Sequence, residues 1–182
     1  IAIDLNGYTG DSRTVLFAQG IAPVQAVFLG YPGTMGAPFM DYILADAVTV
    51  PEGADGFYAE KVVRLPGCFM PTDDQREITI AGLTRAQFGL PEDGIVFCCF
   101  NNTYKINPEI FASWMRILSA VEGSCLWLLA DSEQVTLHLR GAAAQAGVAA
   151  DRLVFGGRLP AQEYLGRYRR ADLFLDTVPF NA

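Results

Sequence analysis

Two apolar runs decide the fold of this chain, Ile95-Val-Phe-Cys-Cys-Phe100 and Cys125-Leu-Trp-Leu-Leu-Ala130. Short runs with so few polar residues are typical of strands that are buried on both faces of a sheet. Between them, Asn107-Pro-Glu109 offers a helix cap, a proline suited to the first helical position and an acid for the first turn. The segment therefore predicts a strand, a helix and a second strand.

The same alternation continues toward the C-terminus. The residue pattern predicts helices over 133–146 and 161–170, and strands over 153–155 and 173–176. Apolar strands that alternate with helices favour a parallel sheet that is covered on both faces. Ligands of such sheets bind beyond the carboxyl ends of the strands, so a site is expected in the loops that follow them.

Toward the N-terminus the predicted elements are shorter. They comprise strands over 1–5, 24–29, 42–45 and 61–65, and a helix over 12–19 that Ser12 caps. The apolar strand pattern again indicates a sheet, so we expect a second α/β lobe.

We divide the chain into three segments on this pattern. Residues 1–65 form part of a first lobe, and 92–182 form part of a second. The stretch 66–91 has mixed polarity, with a brief helix near 84–88, and is interpreted as a linker. We expect both lobes to be truncated, because one predicted strand starts at the first residue and no helix follows the last strand.

The composition narrows the possible functions. Hydrophobic residues make up 51% and charged residues 18%, which excludes a disordered chain. The formal charge of −7 argues against nucleic acid as a partner. Four cysteines without C-x-x-C spacing and a single histidine argue against a zinc site and favour a reducing, cytoplasmic setting. No apolar run reaches the roughly 18 residues that span a bilayer.

The loop after the first run, Asn101-Asn-Thr-Tyr-Lys105, carries candidate chemistry. It follows a predicted strand and precedes a helix N-terminus, whose unpaired N–H groups favour anions. The charge of Lys105 can reach a phosphate oxygen, and the amides of Asn101 and Asn102 can bond a base, a ribose or a sugar. A solvated loop with a surface lysine is the alternative that these residues leave open.

Two further loops are candidates. Gly30-Tyr-Pro-Gly33 follows a predicted strand, and its glycines let the backbone approach a ligand closely, although it matches neither a Walker loop nor G-x-G-x-x-G. Arg158 follows another strand and Arg167 lies in the next helix, where guanidinium groups could bind a pyrophosphate in a bidentate manner. The alternatives are a tight turn without a ligand and arginines on a solvated face.

Seven motifs occur in an order that identifies a family. They are Asp4-Leu-Asn-Gly-Tyr-Thr9, Ala22-Pro-Val-Gln25, Leu29-Gly-Tyr-Pro-Gly-Thr34, Phe39-Met-Asp-Tyr42, Cys99-Phe-Asn-Asn102 with Tyr104-Lys105-Ile106, Leu126-Trp-Leu-Leu129 and Ala171-Asp-Leu-Phe-Leu-Asp-Thr177. Together they resemble the catalytic region of the O-GlcNAc transferases and of their plant relatives, the SPINDLY proteins. The match extends from about Ile3 to Ala182 and is more specific than any single loop.

The resemblance implies a GT-B architecture with two Rossmann-like lobes. Residues 1–65 would be the C-terminal part of the first, acceptor-side lobe, and 92–182 the N-terminal part of the second, nucleotide-sugar-binding lobe. The stretch 66–91 is too short for the insertion domain of the animal enzymes, which favours a bacterial-type member of glycosyltransferase family 41. Tetratricopeptide repeats and a further active-site histidine are expected upstream.

The resemblance also implies an activity, which is transfer of N-acetylglucosamine from UDP-GlcNAc to Ser or Thr of proteins. The transfer would invert the anomeric centre without a metal or other cofactor, and Lys105 would be catalytic by stabilising the leaving diphosphate. The predicted acceptor and sugar loop is Leu29, Gly30, Tyr31 and Pro32. The predicted nucleotide-sugar-binding residues are Asn101, Asn102, Leu129, Arg158, Leu159, Tyr164 and Arg167.

Three departures from the family pattern bear on this prediction. Gly20-Ile-Ala-Pro23 stands where the family commonly has Arg-Pro-Ala-Pro, so an active-site arginine is missing. Tyr164 stands where many members have a histidine that contacts UDP. The His-Thr-Thr loop that grips the diphosphate in the family would follow Ala182.

Two alternatives remain open from the sequence. One is a transferase with another donor, such as GDP-fucose, and the other is a non-catalytic binding module that keeps the fold. For the main prediction the expected partners are a UDP-sugar donor and a protein or peptide acceptor, with no nucleic acid and no membrane. We expect the 182 residues alone to be inactive, as part of a larger catalytic region.

Overall fold

The chain folds into two compact units, each built on a parallel sheet. The structure is a computed structural model that describes residues 1–79 and 82–182. The first unit is Ile1–Asp74 and the second is Gln75–Ala182. Within the described residues, none of the helices combines the length and apolar character that crossing a bilayer requires.

The stretch 66–91, predicted as a linker, packs against the units near both of its ends. In the first unit the amide of Phe69 donates a hydrogen bond to Asp46 Oδ2 at 2.8 Å. In the second unit Leu90 is buried among the apolar residues of the core. The predicted brief helix near 84–88 is a single 3₁₀ turn over Ala86–Phe88.

Four parallel strands make up the sheet of the first unit, all of whose residues are described. They lie side by side in chain order as β1 (Ala2–Asp4), β2 (Gln25–Phe28), β3 (Tyr42–Ala45) and β4 (Lys61–Arg64). Because every pair is parallel, all four carboxyl ends lie at one edge of the sheet. The loops after β1 and β2 therefore meet at that edge.

A short helix, α1 (Thr14–Phe17), connects β1 to β2. It is shorter than the predicted 12–19, and its N-cap is Arg13, which makes no capping hydrogen bond with its side chain. Gly20 has a φ of 64° and donates its N–H to Phe17 O, which ends the helix in a left-handed turn. Phe17 is buried against the sheet core, together with Val27 and Ile43.

The second sheet has the order β7-β6-β5-β8, so the two apolar runs form its centre. Among the described residues of this unit its strands are β5 (Val96–Cys99), β6 (Cys125–Leu129), β7 (Leu153–Gly156) and β8 (Leu173–Phe174). All are parallel, and every residue of β5 and β6 is buried. This confirms the prediction from the two runs.

Successive side chains of a strand point to opposite faces of the sheet. Each face of this sheet packs against its own apolar core. Phe97 and Cys99 face a core shared with Leu118 of α2 (Pro108–Ala120) and Ala143 of α3 (Glu133–Gln145). On the other face lies a separate core that contains Trp127 and the two tyrosines after β7, Tyr164 and Tyr168. The aromatic face underlies the candidate site described below.

The helix caps follow the sequence signals. Asn107 Oδ1 accepts a hydrogen bond from the Ile110 amide at 2.9 Å, with Pro108 in the first turn of α2. Ser132 Oγ accepts one from the Val135 amide at 3.2 Å and so caps α3. Each cap fixes the point at which a loop turns into a helix beside the carboxyl ends of the strands.

Two predicted elements end earlier in the structure. The helix predicted over 161–170 is α4 (Ala161–Arg167) followed by a 3₁₀ turn over Tyr168–Arg170. The strand predicted over 173–176 is limited to β8, because Asp176 accepts hydrogen bonds through Oδ1 from the amides of Thr177 and Ala182. These local bonds turn the chain away from the sheet.

Candidate active site

A cavity lies at the carboxyl ends of β5, β6 and β7, where a parallel sheet is expected to bind its ligand. Its volume is about 450 Å³. It is lined by Phe100, Asn101, Asn102, Lys105, Leu129, Arg158, Leu159, Tyr164, Tyr168 and Ala182. The structure thus brings together every residue predicted to bind the nucleotide sugar except Arg167, and adds the predicted catalytic Lys105.

Lys105 and Asn101 connect the β5 loop to the end of the chain. Lys105 lies on a 3₁₀ turn over Thr103–Lys105, and its Nζ donates a hydrogen bond to Asn181 O at 2.7 Å. The same Nζ lies 4.1 Å from the centre of the Phe180 ring, a cation–π contact. The side-chain amide of Asn101 donates to Asp176 Oδ1 at 2.9 Å and to Thr177 Oγ1 at 2.8 Å.

A second cation, Arg158, stands at the cavity in the loop after β7. Its side chain is 74% exposed, and its Nη2 lies 3.3 Å from Asp131 Oδ1 and 3.5 Å from Asn102 Oδ1. Long contacts of an exposed side chain are weak, so the guanidinium is available to an anion. Together with Lys105 it gives the cavity two cationic groups.

The carboxylate of Asp131 is held ionised. Burial alone would raise its pKa, but hydrogen bonds from the Thr103 hydroxyl and amide, together with the charge of Arg158, outweigh that effect. The pKa of Asp131 therefore lies below its ordinary value. The carboxylate is charged at neutral pH and does not act as a proton donor.

The rest of the cavity wall is apolar and aromatic. Leu129 and Leu159 line it together with Phe100 and two tyrosines. The hydroxyl groups of Tyr164 and Tyr168 lie 2.9 Å apart, and burial raises the pKa of Tyr168 well above its usual value. Tyr168 is therefore neutral, and the two rings offer a flat, largely apolar surface of the kind that stacks on a planar ring.

Arg167 lies behind this wall and does not line the cavity. It is fully buried, which excludes the alternative of an arginine on a solvated face. Its Nη1 donates to Gly157 O at 3.1 Å, whereas its Nε and Nη2 have no partner. Arg167 and Leu159 line a smaller cavity of about 240 Å³, and Leu159 is common to both cavities.

The three buried cysteines do not line this cavity. Burial raises the pKa of Cys98 to about 12 and that of Cys125 to about 11, so both remain protonated thiols at neutral pH. Burial also raises the pKa of Cys99, for which a hydrogen bond with the backbone at Asn101 only partly compensates. These residues serve as small core side chains, as their apolar runs predict.

The predicted acceptor and sugar loop follows β2 in the first unit, and its backbone has an unusual conformation. Leu29 has a φ of 77°, in the left-handed region that only glycine adopts without strain. The Gly30 amide donates to Leu5 O at 3.0 Å, and a Cβ on Gly30 would lie 2.4 Å from that oxygen. Only glycine permits this contact between the loops after β1 and β2.

The same loop is held from its other side. The Tyr58 hydroxyl donates to Pro32 O at 3.0 Å, and the Tyr31 ring packs edge-on against Tyr8 with 5.5 Å between ring centres. The buried carboxylate of Glu60 accepts hydrogen bonds from the Thr34 hydroxyl and the Met35 amide, both at 2.7 Å. Contacts from both sides thus hold the loop in this conformation.

Sequence reasoning overlooked three contributors to the second-unit site. Phe100 and Tyr168 line the cavity, and Asp131 holds two of its loops. Phe100 ends a predicted strand and Asp131 follows another. Their position at the carboxyl ends of strands could therefore have predicted that they contribute to the site. Tyr168 gave no such signal, because it was predicted to lie within the helix over 161–170 and not directly after a strand.

The single histidine, His138, lies away from this cavity. It is exposed on α3 beside an apolar groove of about 500 Å³ between α2 and α3. Among the described residues, no group of three or more His, Cys, Asp or Glu side chains is arranged to hold a metal ion. The cationic side chains that line the cavity are Lys105 and Arg158.

The fold and the cavity define an α/β protein with a candidate site at the carboxyl ends of a parallel sheet. The profile of glycosyl transferase family 41 matches residues 1–79 and 72–182, which together span the chain. The chain belongs to that family. This confirms the resemblance on which the sequence analysis relied.

Two plant proteins illustrate the relationship. A probable UDP-N-acetylglucosamine–peptide N-acetylglucosaminyltransferase of Arabidopsis thaliana, SEC, is 38% identical over 182 residues, which cover 97% of this chain and 19% of the relative. A SPINDLY protein of Solanum lycopersicum with the same described activity is 32% identical, over 99% of this chain and 19% of the relative. The chain spans about a fifth of the length of these relatives.

A solved structure has the same fold. It is a lysine-to-methionine mutant of the O-GlcNAc transferase of Thermobaculum terrenum, with a TM-score of 0.85 and 32% identity. The match covers 99% of this chain and 34% of that one. The predicted α/β fold, of GT-B type with parallel sheets in both parts, is confirmed by this likeness and by the two sheets.

Proposed function

We propose that this chain contributes the donor cavity of an enzyme that transfers N-acetylglucosamine from UDP-GlcNAc to Ser or Thr of proteins. The observation that carries the proposal is the cavity at the ends of β5, β6 and β7. It gathers Lys105 and Arg158 beside an apolar and aromatic wall, in about 450 Å³. Ligand pockets for small molecules commonly have about 300–1,000 Å³. Family membership and the activities described for the relatives support the same donor.

The two ends of the cavity fit the two ends of UDP. The cations of Lys105 and Arg158 suit a diphosphate, for which an arginine offers paired N–H donors and a lysine a point charge. Leu129, Leu159 and Tyr164 present an apolar surface that suits the uracil ring. Arg167, buried behind that surface with Nε and Nη2 unpartnered, would support the base end from the adjoining cavity.

The proposed chemistry is a single displacement. The acceptor oxygen forms a bond to the anomeric carbon as the bond from that carbon to the diphosphate oxygen breaks, which inverts the centre. The bonding electrons leave with UDP, and Lys105 stabilises the negative charge that grows there, a role that a metal ion plays in other transferases. The proton of the acceptor hydroxyl is lost to a base that is not assigned among these residues.

The first unit would serve the acceptor and the sugar. The loop Leu29–Pro32 is held from both sides and glycine-bearing, which suits close approach of its backbone to a sugar or a peptide. We extend the proposal to a bacterial-type cytoplasmic protein with tetratricopeptide repeats that present the acceptor. The four free cysteines fit a reducing compartment, and the short 66–91 stretch fits the bacterial type.

The test is donor selectivity, measured on the complete polypeptide that carries this sequence. UDP-GlcNAc and GDP-fucose, each radiolabelled in the sugar, are offered with a Ser- and Thr-rich protein acceptor, and UDP and GDP binding are compared by calorimetry. We expect incorporation from UDP-GlcNAc alone and preferential binding of UDP. Incorporation only from GDP-fucose would overturn the proposed donor, and UDP binding without any transfer would favour a binding module.

A further inference from the structure

Asp131 occupies a central position among the loops that form the cavity. It lies two residues after β6, and β6 lies between β5 and β7 in the sheet. The loop after β5 carries Lys105, and the loop after β7 carries Arg158. Because the strands are parallel, all three loops leave the sheet at one edge. A side chain on the middle loop can therefore contact both of the others.

The carboxylate of Asp131 uses one oxygen for each neighbouring loop. Oδ2 accepts hydrogen bonds from the Thr103 amide at 3.0 Å and from the Thr103 hydroxyl at 2.7 Å. Oδ1 lies 3.3 Å from Arg158 Nη2. Thr103 begins the 3₁₀ turn that ends at Lys105, so one carboxylate holds the turn of the lysine and the guanidinium of the arginine.

Asp131 itself would not touch the donor, unlike Arg158, which it contacts on the cavity wall. Thr103 and Asp131 do not line the cavity, whereas Lys105 and Arg158 do. The side chain of Asp131 is 22% exposed, against 74% for Arg158, so the carboxylate is the fixed partner and the guanidinium the mobile one. An anchored carboxylate restricts the directions in which an exposed arginine can point. Because the contact is long, it does not form a tight ion pair that would neutralise the arginine.

We propose that Asp131 is a positioning residue of the donor cavity, which orients Arg158 toward the diphosphate and fixes the turn that presents Lys105. The inference rests on the proposed function and deepens it, because it assigns a role to a residue outside the cavity lining. It implies two separable effects. The Arg158 contact governs donor binding, and the Thr103 contacts govern the catalytic lysine.

Two substitutions separate these effects in the complete polypeptide. Asp131→Asn keeps an oxygen that can accept from Thr103 but presents no charge to Arg158, so we expect the Kd for UDP to rise about fivefold with little change in kcat. Asp131→Ala removes both contacts, so we expect the same weaker binding and a fall in kcat of about tenfold. Glu133→Gln, which removes a charge from an exposed residue of α3, is the control and should match the parent.

A double variant tests whether Asp131 acts through Arg158. In an Arg158→Ala background, Asp131→Asn should weaken UDP binding no further, because its partner is already gone. Melting temperatures of all variants identify any that fail to fold, and Asp131→Asn is expected to fold like the parent.

The outcomes distinguish this inference from the proposed function. If the parent protein neither binds UDP nor transfers sugar, the proposed function fails. If the parent does both, the inference alone is overturned by any of three results: tighter UDP binding by Asp131→Asn, an unchanged Kd, or an equal effect in the Arg158→Ala background. Tighter binding would show that the carboxylate competes with the diphosphate.

Discussion

The guanidinium carbon of Arg167 lies 3.5 Å from the centre of the Phe100 ring, directly behind the wall of the candidate donor cavity. It also lies 4.4 Å from the centre of the Tyr164 ring. Among the described residues no carboxylate pairs with it, and burial lowers the pKa of the guanidinium despite the opposing effect of the tyrosines. A buried cation with so few partners destabilises the folded state. We therefore infer that Arg167 serves the candidate site and not the stability of the fold.

Replacing Arg167 by methionine tests this interpretation. Methionine fills a similar volume without a charge, so we expect the melting temperature to stay equal or to rise. UDP affinity should fall about threefold, since the guanidinium supports the Phe100 and Tyr164 rings through cation–π contacts. Thermal unfolding and calorimetry on the complete polypeptide measure the two effects.

Arg152 supplies the matched control. Its guanidinium donates to the carbonyl groups of Ser124, Leu118 and Val121 at 2.7–2.8 Å, at the end of α2. Arg152→Met would remove these three hydrogen bonds and should destabilise the protein by about 2 kcal/mol or more. A loss of similar size for Arg167→Met would show that Arg167 holds the fold together in the same way.

Gly30 tests the loop of the first unit. Gly30→Ala would place a Cβ 2.4 Å from Leu5 O, so the β1 and β2 loops must separate, at a cost of about 1–3 kcal/mol. Gly10→Ala is the control, because no atom lies within 4 Å of a Cβ there. The melting temperatures of the two variants are compared. Equal values would contradict the close contact between these loops.

The cysteines give a prediction about pH. The thiolate is the reactive form, and burial raises the pKa of Cys98 to about 12 and of Cys125 to about 11, whereas Cys68 is exposed. Between about pH 7 and pH 9, alkylation of the native protein followed by peptide mass spectrometry should therefore label Cys68 and leave the other two unmodified. Rapid labelling of Cys98 without denaturant would contradict the packing of β5.

The proposed mechanism requires no metal. Prolonged treatment with EDTA, followed by a transfer assay in metal-free buffer, should leave kcat and KM unchanged. Restoring Mg²⁺ or Mn²⁺ should likewise have no effect, because Lys105 carries the charge stabilisation. Loss of transfer that Mn²⁺ restores would point to a different catalytic arrangement.

Much of the fold could be predicted from the sequence because its strongest signals are local. The runs at β5 and β6 are apolar throughout, and the caps Asn107 and Ser132 lie where the residue types indicate. The ends of the weaker elements were predicted wrongly. β8 is shorter than predicted because the Asp176 side chain bonds to the backbone nearby, and such competition between side chain and strand is invisible to hydrophobic patterning.

The candidate site was predictable only in part. Residues after a strand, such as Lys105 and Arg158, are brought together by parallel topology alone. The resemblance to the transferase family suggested Leu129 and Tyr164. The burial of Arg167 could not be foreseen, because a basic residue in a polar helix segment usually faces solvent. The role of Asp131 depends on which loops are neighbours, which is a property of strand order.

The central claim concerns Lys105, and the chain provides its own control. Lys105 and Lys61 are the two lysines of the sequence, and Lys61 is exposed at the start of β4 in the other unit. Both are replaced by alanine in the complete polypeptide, and transfer from radiolabelled UDP-GlcNAc is measured under single-turnover conditions. Melting temperatures are measured in parallel to confirm that each variant is folded.

For Lys105→Ala we predict a fall in the rate of sugar transfer of about a hundredfold or more, which corresponds to about 3 kcal/mol of transition-state stabilisation. Lys61→Ala should transfer sugar at the parent rate. Transfer by a folded Lys105→Ala variant at a rate close to that of the parent would contradict the assignment of Lys105 as the group that stabilises the leaving diphosphate.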